Sequence, residues 1–183
     1  EKVRLNIEAK LDPTKPDLTY GPEEFASAIL DVVLQAGMTS RVTIQSFDWR
    51  VLQEVQRRAP KVETSYLTVQ QRWLDNLRIG EAGPSPWTAG FDIDKFDGSV
   101  PRLVKAAGGR VWSPYHREIN PAQVKEAHDL DLTVKVWTVN EEKRMKALIE
   151  MDVDGIITDY PDRLRRVLEM RGRKLPTPTP VQP

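Results

Sequence analysis

The sequence contains no cysteine, which removes disulfides, thiolate nucleophiles and cysteine-based zinc sites. That absence leaves the compartment open, because a core of sufficient size needs no disulfide. Net charge is also lacking: 27 Lys and Arg balance 27 Asp and Glu. No electrostatic footprint for nucleic acid or an anionic membrane follows from such a balance, although a small anion held in a local cleft stays open. No apolar run approaches the roughly 18 residues of a spanning helix, so no transmembrane segment is expected. No signal peptide is visible either. Histidine is scarce, at two residues, and no Gly-rich phosphate loop, zinc-ligand spacing or Ser/His/Asp arrangement occurs. The chain opens on Glu1, with a strand-like segment close behind it; a processed or partial start is the expectation.

What is present suffices for one domain with a real core, since 39% of the 183 residues are hydrophobic. The organising pattern is short β-like runs alternating with helical segments. Strands are expected at 5–10, 41–47, 62–69, 110–115, 132–139 and 155–158. Helices are expected at 22–37, 49–59, 101–107, 121–129, 141–151 and 161–170. Pro22 with Glu23 and Glu24 suits a helix N-terminus. Phe25, Ile29, Val32 and Val33 give that helix an apolar stripe, and Gly37 ends it. Asp48, Asn120 and Asn140 read as caps of the helices that follow them, and Asp159 or Asp162 as the cap of the last. The stretch 70–99, with Gly83-Pro84-Ser85-Pro86-Trp87, reads as an insertion over one end of the fold. The domain is expected to span 1–170, with a proline-rich tail at 171–183.

Six strands with intervening helices predict a parallel sheet in an α/β fold. An open doubly wound sheet and a closed (β/α)₈ barrel both fit this pattern. A complete barrel takes about 250 residues, so six units here fall about two short.

Four places in this pattern draw attention. Asn6, Glu8 and Lys10 leave one face of the first strand. A charged pair on a buried parallel strand is costly unless it is paired or binds an ion. It is either a structural salt bridge or a hard-metal carboxylate ligand beside a cation for a phosphoryl oxygen. Trp137, near the end of a strand in Val136-Trp137-Thr138-Val139-Asn140, walls a pocket or fills the core. The same two readings hold for Phe47 in Gln45-Ser46-Phe47-Asp48, while Ser46 has no visible base to make it a nucleophile. The unit Gly155-Ile156-Ile157-Thr158-Asp159-Tyr160-Pro161 closes the last strand. His116 lies in a loop on the side where strands end, and His128 on a charged, solvated helix face.

Together these segments resemble the glycerophosphodiester phosphodiesterase family. LNIEAK is similar to its strand bearing a metal-binding glutamate and a lysine. IQSFDWRVLQEVQRRAP is similar to its Ser-Phe-Asp strand and the helix after it. VKVWTVNEEKRMKALIEMDVDGIITDYPDRL resembles its Trp-Thr-Val-Asn strand and closing unit. The blocks come in the family's order and span residues 5 to about 165. The resemblance implies a (β/α)₈ TIM barrel, of which this chain supplies about six of the eight βα units. It also implies metal-dependent hydrolysis of a small glycerophosphodiester to an alcohol and glycerol 3-phosphate, with Mg²⁺ or Ca²⁺ as the divalent cation. Glu8 would be a metal ligand and Lys10 would stabilise phosphate charge as a catalytic residue. Phe47 and Trp137 would line the substrate pocket.

The family's first two strands carry His-Arg-Gly, Glu-Asn, Glu-x-Asp and a second histidine with aspartate, and none of these occurs here. The resemblance therefore implies that both catalytic histidines and most metal ligands come from an N-terminal segment outside this sequence. A cleaved fragment, a separate subunit or residues ahead of Glu1 would supply it, and without it the chain should be inactive. Two other readings remain: a non-catalytic barrel that binds a phosphorylated ligand, and a phospholipase D-like lipid hydrolase with an apolar rim from residues 84–91. The compartment is open, with a periplasmic or secreted location preferred over the cytoplasm.

Overall fold

From the N-terminus the chain runs through β1 (Leu5–Glu8), α1 (Pro22–Gln35), β2 (Val42–Ser46), α2 (Trp49–Arg58) and β3 (Glu63–Thr68) in a computed structural model that describes residues 3–175 and 177. A small antiparallel hairpin follows, β4 (Gln70–Gln71) with β5 (Leu74–Asp75). The alternation then resumes with α3 (Val100–Ala106), β6 (Val111–Pro114), α4 (Pro121–Asp129), β7 (Thr133–Val136), α5 (Glu142–Glu150), β8 (Gly155–Ile156) and α6 (Pro161–Met170). The expected tail, 171–183, lies for the most part outside the described residues.

Six strands form one sheet in the order β1-β2-β3-β6-β7-β8, every neighbouring pair parallel. Its register sorts the side chains into two faces. One face presents Val42, Ile44, Tyr66, Trp112, Val134 and Val136, all buried against the helices in a single apolar cluster. The other is mostly polar, with Asn6 and Glu8, Thr43 and Gln45, Glu63 and Ser65, Ser113, and Thr133 and Lys135, joined by the buried Leu67 and Val111.

The polar face is the concave one. On a flat sheet, β2 and β7 lie three strand spacings apart, about 14 Å. Yet Phe47, just after β2, and Trp137, just after β7, bring their ring centroids to 5.4 Å. Lys135 Nζ on β7 likewise reaches Glu63 Oε2 on β3 at 3.0 Å, across the intervening β6. The sheet is thus curled as a barrel wall, with helices outside and polar side chains within.

Local chemistry explains the helices. In α1, Ala26, Leu30 and Val33 are buried at helical spacing, and Gly37, at φ +62°, takes the left-handed conformation that ends the run. Val32, expected in the apolar stripe, is instead 68% exposed; the buried face is centred one position round the helix. The fully buried Asp48 caps α2 by accepting from the Arg50 amide at 3.1 Å, and holds the Arg50 guanidinium at 2.7 Å. Asn120 and Gln123 close a reciprocal capping box on α4.

Two expected caps are absent. Glu141, not Asn140, occupies the N-cap of α5, and neither Asp159 nor Asp162 caps α6. The Asn140 and Asp159 side chains are engaged with each other, in contacts that tie the ends of β7 and β8. Trp87 is buried, and its carbonyl accepts from the Trp49 amide at 2.8 Å. The stretch 84–91 therefore closes the outer layer and offers no tryptophan to an apolar rim.

Candidate active site

The strand ends on the C-terminal side gather the residues with chemistry to offer. Glu8 ends β1, opposite Gln45 in the register, and Lys10 follows two residues on along the same face. Lys10 Nζ lies 2.7 Å from Glu8 Oε1. The carboxylate is mostly shielded, its side chain 26% exposed, whereas the ammonium reaches solvent at 77%. Beneath them Asn6 Nδ2 donates to Gln45 Oε1 at 2.7 Å. Thr43 Oγ1 and Lys135 Nζ both donate to Glu63, at 2.6 and 3.0 Å. Burial opposes ionisation of Glu63, but the Thr43 hydroxyl and the Lys135 ammonium outweigh it and hold its pKa below the usual carboxylate range.

Beside the Glu8–Lys10 pair stands an aromatic wall. Trp137 is fixed by its indole N–H, which donates to the Ser113 carbonyl at 2.8 Å. Its ring meets Phe47 edge-on at 5.4 Å and Tyr115 at 5.3 Å. Trp73, in the β4–β5 turn, adds a ring 6.2 Å from Tyr115 and 6.3 Å from Trp137, and is 61% exposed. Phe47 and Trp137, both anticipated from sequence, are thus in contact. Trp73 and Tyr115 were not anticipated, because one lies in an irregular stretch and the other reads as an ordinary strand residue.

Two further residues hold this wall in place. Asn76, fully buried, accepts from the Val69 amide at 2.9 Å and donates to the carbonyls of Leu67 and Phe47 at 3.0 and 3.2 Å. It joins the ends of β2 and β3 to the hairpin. Glu118 accepts from the Gln70 amide at 3.0 Å and from the Gln71 side chain at 2.6 Å. Neither residue carries a signal in sequence, where both look like solvated loop positions.

His116 is buried and engaged by Arg144. Burial, reinforced by the nearby Arg144 and Arg117 cations, pulls its pKa down to about 4. Arg144 donates from Nε to its Nδ1 at 3.3 Å and from its terminal nitrogen to its backbone carbonyl. The imidazole is a neutral prop between strand end and helix. His128, expected in solvent, is partly shielded and sits 3.1 Å from Asp154 on the outer surface. Ser46 is buried, its hydroxyl donating to the Ala9 carbonyl at 2.6 Å.

A divalent cation of the Mg²⁺ or Ca²⁺ type takes six or more oxygen ligands, commonly several carboxylates. Among the described residues no cluster of three or more His, Cys, Asp or Glu is placed to hold a metal ion. Glu8 by itself offers one carboxylate, already bonded to Lys10. These residues do not fit a complete metal site.

A curled parallel sheet wrapped in helices, with charge and aromatic rings at the C-terminal ends of its strands, is the wall of a (β/α)₈ barrel, and those groups lie at the end where such barrels carry their active sites. The chain belongs to the glycerophosphoryl diester phosphodiesterase family, whose model matches residues 1–163. It is 52% identical over 54 residues to a probable glycerophosphodiester phosphodiesterase 2 of Mycobacterium tuberculosis, a match covering 30% of this chain and 20% of that one. It is 27% identical over 170 residues to an uncharacterised protein of Bacillus subtilis, covering 90% and 56%. Among solved structures it resembles a Silicibacter pomeroyi protein assigned as a glycerophosphoryl diester phosphodiesterase. That likeness has a TM-score of 0.74 at 36% identity, over 93% of this chain and 51% of that one. A phosphodiesterase of Oleispira antarctica, solved with the product sn-glycerol-3-phosphate, shares the fold at TM-score 0.63 and 15% identity, over 91% and 55%. The chain spans little more than half the length of the relatives it matches along most of its own length.

Proposed function

We propose that this chain forms one side of an active site that hydrolyses small glycerophosphodiesters to an alcohol and glycerol 3-phosphate. The observation carrying the reading is the Glu8–Lys10 pair at the mouth of the curled sheet, next to the Phe47–Trp137 wall. An ammonium mostly in solvent is able to turn from its carboxylate toward a phosphoryl oxygen, where its charge offsets the negative charge that builds during displacement. The aromatic wall gives the glycerol or alcohol portion an apolar face to lie on and excludes water from one side. Family membership supports the reaction class. The product bound to the Oleispira protein supports a small phosphorylated ligand on this fold.

Proton transfer to the leaving alkoxide requires a group with a pKa near the working pH. His116 is held near 4 and engaged by Arg144, so it does not supply one. We place the acid and base, and the remaining ligands for Mg²⁺ or Ca²⁺, on a companion segment that completes the barrel, with Glu8 contributing one ligand to the shared site. Turnover then needs both parts.

Glu8→Gln keeps the shape of the side chain and removes its charge. In the completed barrel it should lower metal-dependent release of glycerol 3-phosphate by about two orders of magnitude or more, as is typical for lost electrostatic stabilisation. Steady-state rates at several Mg²⁺ and Ca²⁺ concentrations measure this, and an unchanged rate would overturn the assignment.

A further inference from the structure

The opposite end of the sheet holds a second concentration of charge that the proposed reaction does not use. Arg4 stands immediately before β1, Arg41 before β2, Lys61 two residues before β3 and Arg110 immediately before β6. These four strands are adjacent in the sheet. Neighbouring strands lie about 4.8 Å apart, so the four cations begin an arc of roughly 15 Å. The arc is bounded, since the segments before β7 and β8 bring Asp131 and Asp154.

The four residues line one cavity of about 490 Å³, together with Thr39, Ser40 and, as the single carboxylate among the described residues there, Glu63. That volume is in the range of small-molecule sites. Glu63 is already committed to Thr43 and Lys135. Lys61 and Arg110 form no salt bridge with another described residue, Arg4 interacts with Glu63 through its charge but makes no ion pair with a described residue within 4 Å, and the hydroxyls of Thr39 and Ser40 make no side-chain hydrogen bond with a described residue. Arg41 is anchored through its Nε, which donates to the Val3 carbonyl at 2.9 Å. Composition does not force this segregation, because the chain as a whole is neutral.

Cations near helix C-termini complement the partial negative charge of those ends. That role explains basic residues on this side of the barrel, but not their convergence on one cavity with two unused hydroxyl donors. Like charges brought together are mutually repulsive, and a bound anion relieves the repulsion.

We propose that this cavity binds a small free anion carrying two or more phosphate groups, at a site separate from the Glu8–Lys10 mouth. Guanidinium groups offer paired donors to phosphate oxygens, and the hydroxyls and Lys61 complete a shell of donors. One orthophosphate would engage only part of an arc this long. A diphosphate spans more of it.

The test is calorimetric titration of the full chain with inorganic pyrophosphate at low ionic strength, with orthophosphate and chloride at matched ionic strength as competitors. Saturable one-to-one binding is expected, tighter for pyrophosphate than for orthophosphate and unmoved by chloride. The Lys61→Ala/Arg110→Ala double variant, exposed at both positions, should weaken it by at least about tenfold with an unchanged circular-dichroism spectrum. Lys10→Ala should leave it intact. Loss of binding in Lys10→Ala with retention in the double variant would move the anion to the mouth and overturn the proposal. No saturable heat, or equal displacement by chloride, would overturn it as well.

Discussion

Asn76 illustrates how much of the mouth rests on single polar side chains. Its amide group satisfies one backbone N–H and two carbonyls in a fully buried position. Asn76→Ala removes the partner of the Val69 amide and of the Phe47 carbonyl, at about 1–3 kcal/mol for each buried group orphaned, while the Leu67 carbonyl keeps the Trp49 indole N–H at 3.3 Å. An increase in urea sensitivity of about 2 kcal/mol or more is expected in equilibrium unfolding. His116 gives a second test with a defined sign. Its folded pKa, near 4, lies below its ordinary value of 6.5. The unfolded chain therefore binds more protons between these values, and stability must fall as the pH drops from 6.5 toward 4. Below about 4 this contribution levels off. His116→Gln, which cannot titrate, should flatten that part of the stability–pH curve, and NMR titration should find the wild-type imidazole neutral at pH 6.

The element with most influence on the site is the β4–β5 hairpin, because it carries Trp73 to the aromatic wall. Two residues of hairpin pairing are marginal alone, so its position depends on Glu118, which receives the Gln70 amide and the Gln71 side chain. Hydrogen bonds to a charged acceptor contribute about 1.5–3 kcal/mol. Glu118→Ala should raise the exchange rate of the Gln70 amide by at least about tenfold, while the exchange of β2 and β3 amides stays as it was. If β2 and β3 loosen together with the hairpin, Glu118 supports the whole fold and not the hairpin alone. Asn140 plays the corresponding part at the other side of the mouth, where it binds Thr158 and Asp159 and so joins the β7 and β8 ends.

The molecule as a whole is a curled sheet with two edges. Among the described residues, β1 pairs only with β2, and β8 only with β7. An unpaired parallel edge presents backbone donors and acceptors to any strand that approaches, and Val3 and Leu5 add exposed apolar surface at the first edge. By itself in solution the chain should associate as its concentration rises, and a companion segment that pairs with both edges should suppress this. Sedimentation velocity across a concentration series reads both effects; a single monomeric species throughout, with no companion bound, would oppose the completed-barrel reading. No helix among the described residues is long and apolar enough to cross a membrane.

The repeating unit was written in the sequence because burial imposes periodicity: β-branched runs with helix-period stripes between them predict six parallel strands, and six strands pair in that order. Glu8 and Lys10 were legible as a pair because alternation along a strand puts them on one face. Phe47 and Trp137 were legible through the motifs around them, not through spacing. What the sequence did not decide is which residues meet across the sheet. Trp73, Tyr115, Asn76 and Glu118 join the mouth, and Arg4, Arg41, Lys61 and Arg110 line one cavity, only because the sheet's strand order and curvature bring distant segments together. The same cause displaced Asn140 from its expected cap: its amide has one set of hydrogen bonds to give, and the fold brought the ends of β7 and β8 within its reach. Local pattern set the elements, and contacts between elements set the site.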